Sequence, residues 1–151
     1  MVTYSAVAVG TDGSDSSLQA VRTAASLSHV YEAKLVIICA WYSNTGSLLS
    51  TPSSETSVLP VVSEDLADEY LAEARSVAES EGATLIETRK VPGAPANVLT
   101  TAVDDADIDL LVVGNKGINS LTGRLFGNIP TDVARRSTVD VMIVNTDDPR
   151  S

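Results

Sequence analysis

The pattern in this chain that could have a chemical role is a set of three glycines with the spacing Gly-x2-Gly-x9-Gly. They are Gly114, Gly117 and Gly127. They follow a short apolar run typical of a buried strand, and they precede a segment with helical periodicity that begins at Asn128. Glycine lets a backbone approach an anion closely, and a helix N-terminus offers free N–H groups. The pattern therefore indicates a cradle for a phosphate group, although glycines that only form turns could give the same spacing.

This glycine pattern differs from two common nucleotide-binding motifs. No Gly-Lys-Ser/Thr follows, as it does in a P-loop, and the Gly-x-Gly-x-x-Gly spacing of dinucleotide-binding proteins is absent. A second polar turn, residues 10–14, contains Asp12, which could stabilise the turn or bind a ribose hydroxyl. The only histidine, His29, lies near the end of a predicted helix. No nucleophile paired with a base is evident, so no catalytic residue is assigned.

Regular alternation of strands and helices is predicted to position these two turns. Apolar runs predict strands over 4–9, 34–41, 83–91, 108–113 and 139–144, and helical periodicity predicts helices over 14–30, 63–82, 97–106 and 128–136. Such alternation implies a parallel sheet with helices on both faces and right-handed crossovers. Ligands of such sheets bind at the carboxyl ends of the strands, where both turns are expected.

Composition limits the class of protein. With 151 residues, 44% hydrophobic and 20% charged, the chain is predicted to form a single domain over 1–146, with a flexible loop over 44–62 and a polar tail over 147–151. The net charge of −10 argues against a nucleic-acid partner. No apolar run approaches the roughly 20 residues that cross a bilayer, so no membrane association is expected. The single cysteine and the lack of a basic leader favour the cytoplasm.

The acidic residues near position 105 do not resemble a metal site. Asp104, Asp105, Asp107 and Asp109 lack the glycine and the terminal glutamate of a calcium-binding loop. We interpret them as a solvated helix end, and no metal ligand is assigned.

Taken in order, these features resemble the universal stress protein family over essentially the whole chain. The resemblance is carried by Val-Gly-Thr-Asp-Gly-Ser at 9–14, by the spaced glycines followed by Asn128, and by Val-Asp-Val-Met-Ile-Val at 139–144. It implies an α/β fold, a doubly wound five-stranded parallel sheet of order 3-2-1-4-5 with helices on both faces. It also implies a regulatory protein of the stress response that binds an adenine nucleotide between the loops after strands 1 and 4, and a homodimer through 139–144.

The resemblance further implies which residues surround the nucleotide. Thr11 and Asp12 are expected at the base and ribose, and Ala40 near the adenine. Lys116 and Arg124 would add charge, and backbone N–H groups would meet the phosphates. The complete expected set is Gly10, Thr11, Asp12, Ala40, Val113, Gly114, Lys116, Gly117, Arg124, Gly127, Asn128 and Ile129.

The phosphate end departs from the family pattern. ATP-binding members usually carry Ser or Thr directly after the third glycine and often a second hydroxyl two residues later, whereas this chain has Asn128 and Pro130. Proline has neither a hydroxyl nor a backbone N–H. We therefore expect ATP, AMP or cyclic AMP as ligand, with weaker dependence on the γ-phosphate than in an ATP-specific member, and Mg²⁺ only with ATP. The alternatives are a slow ATP hydrolase and a ligand-free interaction module.

Overall fold

Five strands and four helices alternate in the part of the chain that the structure describes. The computed structural model describes residues 1–42, 62–105, 107–116 and 129–146. The strands are β1 (Ala6–Gly10), β2 (Lys34–Trp41), β3 (Ile86–Pro92), β4 (Leu110–Gly114) and β5 (Asp140–Val144). The helices are α1 (Asp15–Tyr31), α2 (Glu64–Ser80), α3 (Pro95–Asp105) and α4 (Ile129–Arg136).

All four strand pairings are parallel, and the order in the sheet is β3-β2-β1-β4-β5. This confirms the predicted fold class and strand order. Among the described residues, no helix is long and apolar enough to cross a membrane.

Serine side chains fix where the two long helices begin. Ser14 precedes α1 in an extended conformation and its hydroxyl accepts a hydrogen bond from the Ser17 amide. Ser63 does the same for Leu66 at the start of α2, whose first turn is acidic. These caps satisfy amides that have no partner within the helix. At the other end of α1, Glu32 takes a left-handed conformation with φ of 55° and closes the helix.

The core consists of two apolar clusters, one on each face of the sheet. One cluster joins α1 and α2 to the sheet, and the other joins α3 and α4 to its opposite face. Helical spacing predicts Leu66, Tyr70, Ala74 and Val77 as the buried stripe of α2, and this prediction is only partly right. Ala74 is buried as expected, but the other fully buried positions are Ala67, Leu71 and Ala78. The predicted Leu66, Tyr70 and Val77 pack beside them and remain partly exposed, since the small alanines let the helix approach the sheet.

Several predicted boundaries shift by a few residues. β3 begins at Ile86, because the Ala83 amide still bonds to the Ala78 carbonyl at the end of α2. Val62, predicted as the end of the flexible loop, is 6% exposed and its carbonyl accepts from the Tyr42 amide at 3.1 Å. The remainder of that predicted loop, 44–61, and the predicted tail, 147–151, lie outside the described residues.

Asp109 connects the start of β1 to β4. Its carboxylate accepts from the Ser5 amide at 2.9 and 3.2 Å and from the Ala6 amide at 3.0 Å, and its own amide donates to the Ala6 carbonyl. Asp104 accepts from the Thr138 hydroxyl at 2.8 Å. The interpretation of this acidic segment as a solvated helix end is therefore incomplete, because two of its carboxylates hold neighbouring segments together.

Replacing Asp109 should destabilise the protein. Asp109→Ala leaves two backbone amides without their carboxylate partner, so we expect the free energy of unfolding to fall by about 1–2 kcal/mol. Asp107→Ala removes an exposed carboxylate from the same segment and should change stability by less than about 0.5 kcal/mol. Urea denaturation measures both, and equal effects of the two substitutions would contradict this role of Asp109.

Candidate functional site

A crevice opens at the carboxyl ends of the central strands. It encloses about 560 Å³ when the open space at its mouth is included. Its walls come from the ends of β1, β2 and β4 and from the first turns of α1 and α3. The described residues that line it are Gly10, Thr11, Asp12, Ser17, Ile38, Ala40, Pro95, Leu99, Val113 and Gly114.

The loop over residues 11–14, called the first loop below, forms the polar wall of the crevice. The Asp12 carboxylate accepts from the Ser14 amide at 2.9 Å and from the Ser14 hydroxyl. The Ser17 hydroxyl lies 3.1 Å from that of Thr11. Thr11 and Ser17 are 6% and 5% exposed, so this polar network is largely buried within the wall of the crevice. The turn is therefore rigidly held by its own side chains.

Every backbone amide of the first loop bonds within the protein. The amide of Thr11 donates to the Ile38 carbonyl at 2.9 Å, that of Asp12 to the Ser17 hydroxyl at 3.2 Å, and that of Gly13 to the Thr11 hydroxyl at 3.3 Å. The Ser14 amide donates to Asp12. The first loop consequently offers oxygen acceptors to the crevice and has no free N–H for a phosphate.

Tyr70 of α2 covers the outside of this loop. Gly13 has φ of 82°, and a Cβ built on it would lie 2.4 Å from Cε1 of the Tyr70 ring. A side chain at this position would therefore strain the backbone and also displace the ring. Glycine is required here by the turn and by Tyr70.

Apolar side chains form the opposite wall. Ile38, Ala40 and Val113 come from the strands, while Pro95 and Leu99 come from α3. The Leu99 methyl groups lie 3.1–3.2 Å from where a Cβ on Gly10 would be. The absence of a side chain at Gly10 thus lets Leu99 close the base of the crevice. A flat apolar group such as a nucleobase suits this wall.

Side chains from three elements surround Gly114 at the end of β4. A Cβ on Gly114 would lie 3.3 Å from Ser16 Oγ and 3.4 Å from Thr146 Cγ2. The hydroxyls of Ser16 and Thr146 are 2.6 Å apart, and Thr146 also bonds to the Asn115 side chain at 2.8 Å. A side chain at Gly114 would therefore crowd Ser16 of α1 and Thr146, which follows β5.

Six of the sequence-predicted site residues line this single crevice: Gly10, Thr11, Asp12, Ala40, Val113 and Gly114. Lys116 is described and exposed but is not part of the lining. The backbone of Ile129 begins α4. The remaining predicted residues, Gly117, Arg124, Gly127 and Asn128, lie outside the described residues.

Four lining residues were not predicted from the sequence: Ser17, Ile38, Pro95 and Leu99. Ser17 could have been found from its spacing, since it follows the capping Ser14 by three residues and so shares its side of the helix. Ile38 shares the alternation of Ala40 along β2. Pro95 and Leu99 carry no such signal, because only the packing of α3 on the sheet brings them to the crevice.

Cys39 and Trp41 lie on the opposite face of β2 from Ala40, in the cluster under α1 and α2. Burial raises the pKa of the Cys39 thiol to about 12, and the charge of Asp12 adds to the shift. The thiol is therefore neutral and buried, as is usual for a cysteine inside an apolar run. Trp41 faces this core and does not contribute to the crevice lining. Within the described residues, no cluster of three or more His, Cys, Asp or Glu could hold a metal ion.

Comparison with known proteins agrees with this geometry. The sequence profile of the Universal stress protein family matches residues 3–145. A universal stress protein of Mycobacterium tuberculosis strain H37Rv is 40% identical over 97% of this chain and 99% of its own length.

Comparison with solved structures points to the same family. A universal stress protein in complex with cAMP is 40% identical, with a TM-score of 0.73 over 97% of this chain and 100% of that one. The universal stress protein of Archaeoglobus fulgidus in complex with dAMP shares the fold at 20% identity, with a TM-score of 0.67 over 95% of this chain and 100% of that one. This chain belongs to the universal stress protein family.

Proposed function

We propose that this protein binds an adenine nucleotide in the crevice and acts as a regulatory protein of the cytoplasmic stress response. The observation that carries the proposal is the meeting of Thr11 and Asp12, at the end of β1, with Val113 and Gly114, at the end of β4. The binding of cAMP by a relative 40% identical to this chain supports an adenine nucleotide as the ligand class.

The two walls of the crevice suit the two halves of a nucleoside. The apolar wall, including Ala40 and Leu99, would bury the faces of the base. The first loop, with its acceptor oxygens, would bind ligand groups that donate hydrogen bonds, such as a ribose hydroxyl or an exocyclic amine. Since the amides of this loop are already bonded, a phosphate would have to be held elsewhere.

The segment that follows β4 is the proposed phosphate side. The backbone N–H groups of Gly117, Gly127, Asn128 and Ile129 would face the phosphate, and Lys116 and Arg124 would supply positive charge. The N-terminus of α4 begins at Ile129 and adds a favourable dipole. Pro130, in the first turn of that helix, has no N–H to offer.

We predict measurable binding of at least one adenine nucleotide. Calorimetry with ATP, ADP, AMP and cAMP should give heat for one or more of them, and mass spectrometry of nucleotide released from the purified protein should identify the resident ligand. Ala40→Leu should weaken binding at least about tenfold, because the larger side chain occupies space at the apolar wall.

The control for that variant is Ala72→Leu, the same substitution at an exposed position of α2. It should leave affinity unchanged. Absence of heat for every nucleotide with folded wild-type protein, or equal affinities of the two variants, would contradict binding in this crevice.

A second prediction concerns the γ-phosphate. Because Asn128 and Pro130 stand where hydroxyl donors are usual, the protein should not prefer ATP over AMP or cAMP. Each charged hydrogen bond that is missing is worth roughly 1.5–3 kcal/mol. Competition measurements with the three nucleotides test this, and a preference for ATP of about a hundredfold would show that the phosphate donors are present after all.

We also propose that the protein forms a homodimer through residues 139–144, which comprise β5 and the residue before it. β5 is an edge strand, and its Met142 and Ile143 side chains are 37% and 47% exposed. An apolar edge with open backbone groups favours pairing with another strand. A second copy of this chain would cover the edge by two-fold symmetry.

The other edge of the sheet is charged. Glu87 of β3 forms ion pairs with Lys34 and Arg89, and its pKa is lowered by these two cations. Lys90 pairs with Glu64 and Asp68 of α2. Charges along an edge strand oppose its pairing with another chain. The contrast between the two edges supports β5, and not β3, as the proposed dimer surface.

Charge introduced into this surface should separate the dimer. Ile143→Lys places a cation where two apolar strands would meet, so we expect a folded monomer at micromolar concentration by analytical ultracentrifugation. Leu85→Lys, at an apolar residue that is 60% exposed beside β3, should remain dimeric. A monomeric wild type, or a dimeric Ile143→Lys protein, would contradict this interface.

A further inference from the structure

The hydroxyl of Ser17 has three polar partners behind the ligand-facing surface of the crevice. Its Oγ lies 3.1 Å from Thr11 Oγ1, 3.2 Å from the Asp12 amide nitrogen and 3.0 Å from the Ser14 carbonyl oxygen. A carbonyl oxygen only accepts and an amide nitrogen only donates, whereas each hydroxyl carries one proton. These rules limit how the protons of this network can be arranged.

Only one arrangement of the hydroxyl protons makes every one of these contacts a hydrogen bond. If Ser17 donates to the Ser14 carbonyl, it can accept from the Asp12 amide and from the Thr11 hydroxyl, while Thr11 accepts from the Gly13 amide at 3.3 Å. If Ser17 donated to Thr11, its contact with the Ser14 carbonyl would have no proton. Buried polar groups are almost always satisfied, so the first arrangement is favoured. The Thr11 proton is therefore engaged by Ser17 and is not available to a ligand.

Thr11 consequently presents only oxygen lone pairs to a ligand. We propose that Ser17 is a positioning residue which fixes this polarity and makes the crevice selective for a ligand with a hydrogen-bond donor opposite Thr11. The inference rests on the proposed nucleotide-binding function and adds the basis of its selectivity. Thr11 and Asp12 together form an acceptor surface, because the amides around them are already bonded.

Cyclic AMP is the appropriate probe because it has two donor groups, the exocyclic amine and the 2′-hydroxyl. Cyclic IMP replaces the amine with a carbonyl, and 2′-deoxy cyclic AMP lacks the hydroxyl. The affinity ratio of cyclic AMP to each analogue, measured by calorimetry, reports each donor separately. Thr11→Val removes the acceptor hydroxyl with little change in side-chain shape. If the cyclic AMP to cyclic IMP ratio falls in this variant, Thr11 accepts from the exocyclic amine; if the ratio to 2′-deoxy cyclic AMP falls, Thr11 accepts from the 2′-hydroxyl.

Ser17→Ala should lower that same ratio by about three- to tenfold, because the Thr11 hydroxyl becomes free to rotate and is no longer fixed as an acceptor for the donor group of cyclic AMP. The Thr11→Val/Ser17→Ala double variant should lower the ratio no further than Thr11→Val alone. In these variants the affinity ratio of cyclic AMP to the other analogue should not change.

The matched control is Ser28→Ala. Ser28 is 2% exposed on the same helix, and its hydroxyl donates to the Ala25 carbonyl at 2.9 Å, at the end of α1 distant from the crevice. This variant loses a buried hydroxyl and should leave both affinity ratios at their wild-type values.

A role of Ser17 in folding alone would weaken cyclic AMP and both analogues by a common factor. Equal losses in Ser17→Ala, or unchanged ratios in Thr11→Val, would overturn the inference. If the wild type bound none of ATP, ADP, AMP and cyclic AMP, the proposed function would fail and the inference with it. By contrast, if the protein bound nucleotide but the variants left the affinity ratios unaltered, only this inference would be overturned and the proposed function would stand.

Discussion

The central position of β1 is the constraint on which the rest of the structure depends. β1 lies between β2 and β4, and its Val7, Ala8 and Val9 side chains are completely buried. After β1 the chain enters α1 on one face of the sheet, whereas the segment after β4 leads to α4 on the other face. The two connections diverge at neighbouring strand ends, and a crevice between them follows from the topology. The crevice therefore arises from the order of the strands and does not depend on which side chains line it.

Much of this arrangement could be predicted from the sequence. The apolar runs and helical periods gave the number and type of the elements, and the family resemblance gave the strand order together with six of the lining residues. What could not be predicted depends on how elements pack. Leu99 reaches the crevice only because α3 packs on this face of the sheet and brings the Leu99 methyl groups against Gly10. The buried stripe of α2 was displaced because periodicity favours large side chains such as Leu66 and Tyr70, while the close approach to the sheet requires alanines.

The glycines at the crevice show how one sequence pattern can have two physical causes. The sequence favoured a phosphate cradle as the reason for Gly114. In the folded chain Gly114 makes room for Ser16 and Thr146, and Gly10 makes room for Leu99. Glycine at both positions therefore avoids crowding these neighbours, whether or not a ligand is present. The presence of glycines beside a crevice is therefore a weak argument for anion binding. Backbone N–H groups without a hydrogen-bond partner would be a stronger one.

The two faces of the sheet differ in how they can change during evolution. The face under α1 and α2 is packed with completely buried small residues, among them Ala20, Ala24, Ala67 and Ala74, so that any enlargement of a side chain would push a whole helix from the sheet. The crevice lies beside the other face, where Leu99, Val113 and Ile38 can be exchanged for aliphatic residues of similar volume at small cost. Divergence can therefore accumulate around the ligand while the opposite face stays fixed. A lineage built on this plan can acquire new ligand preferences without losing its fold.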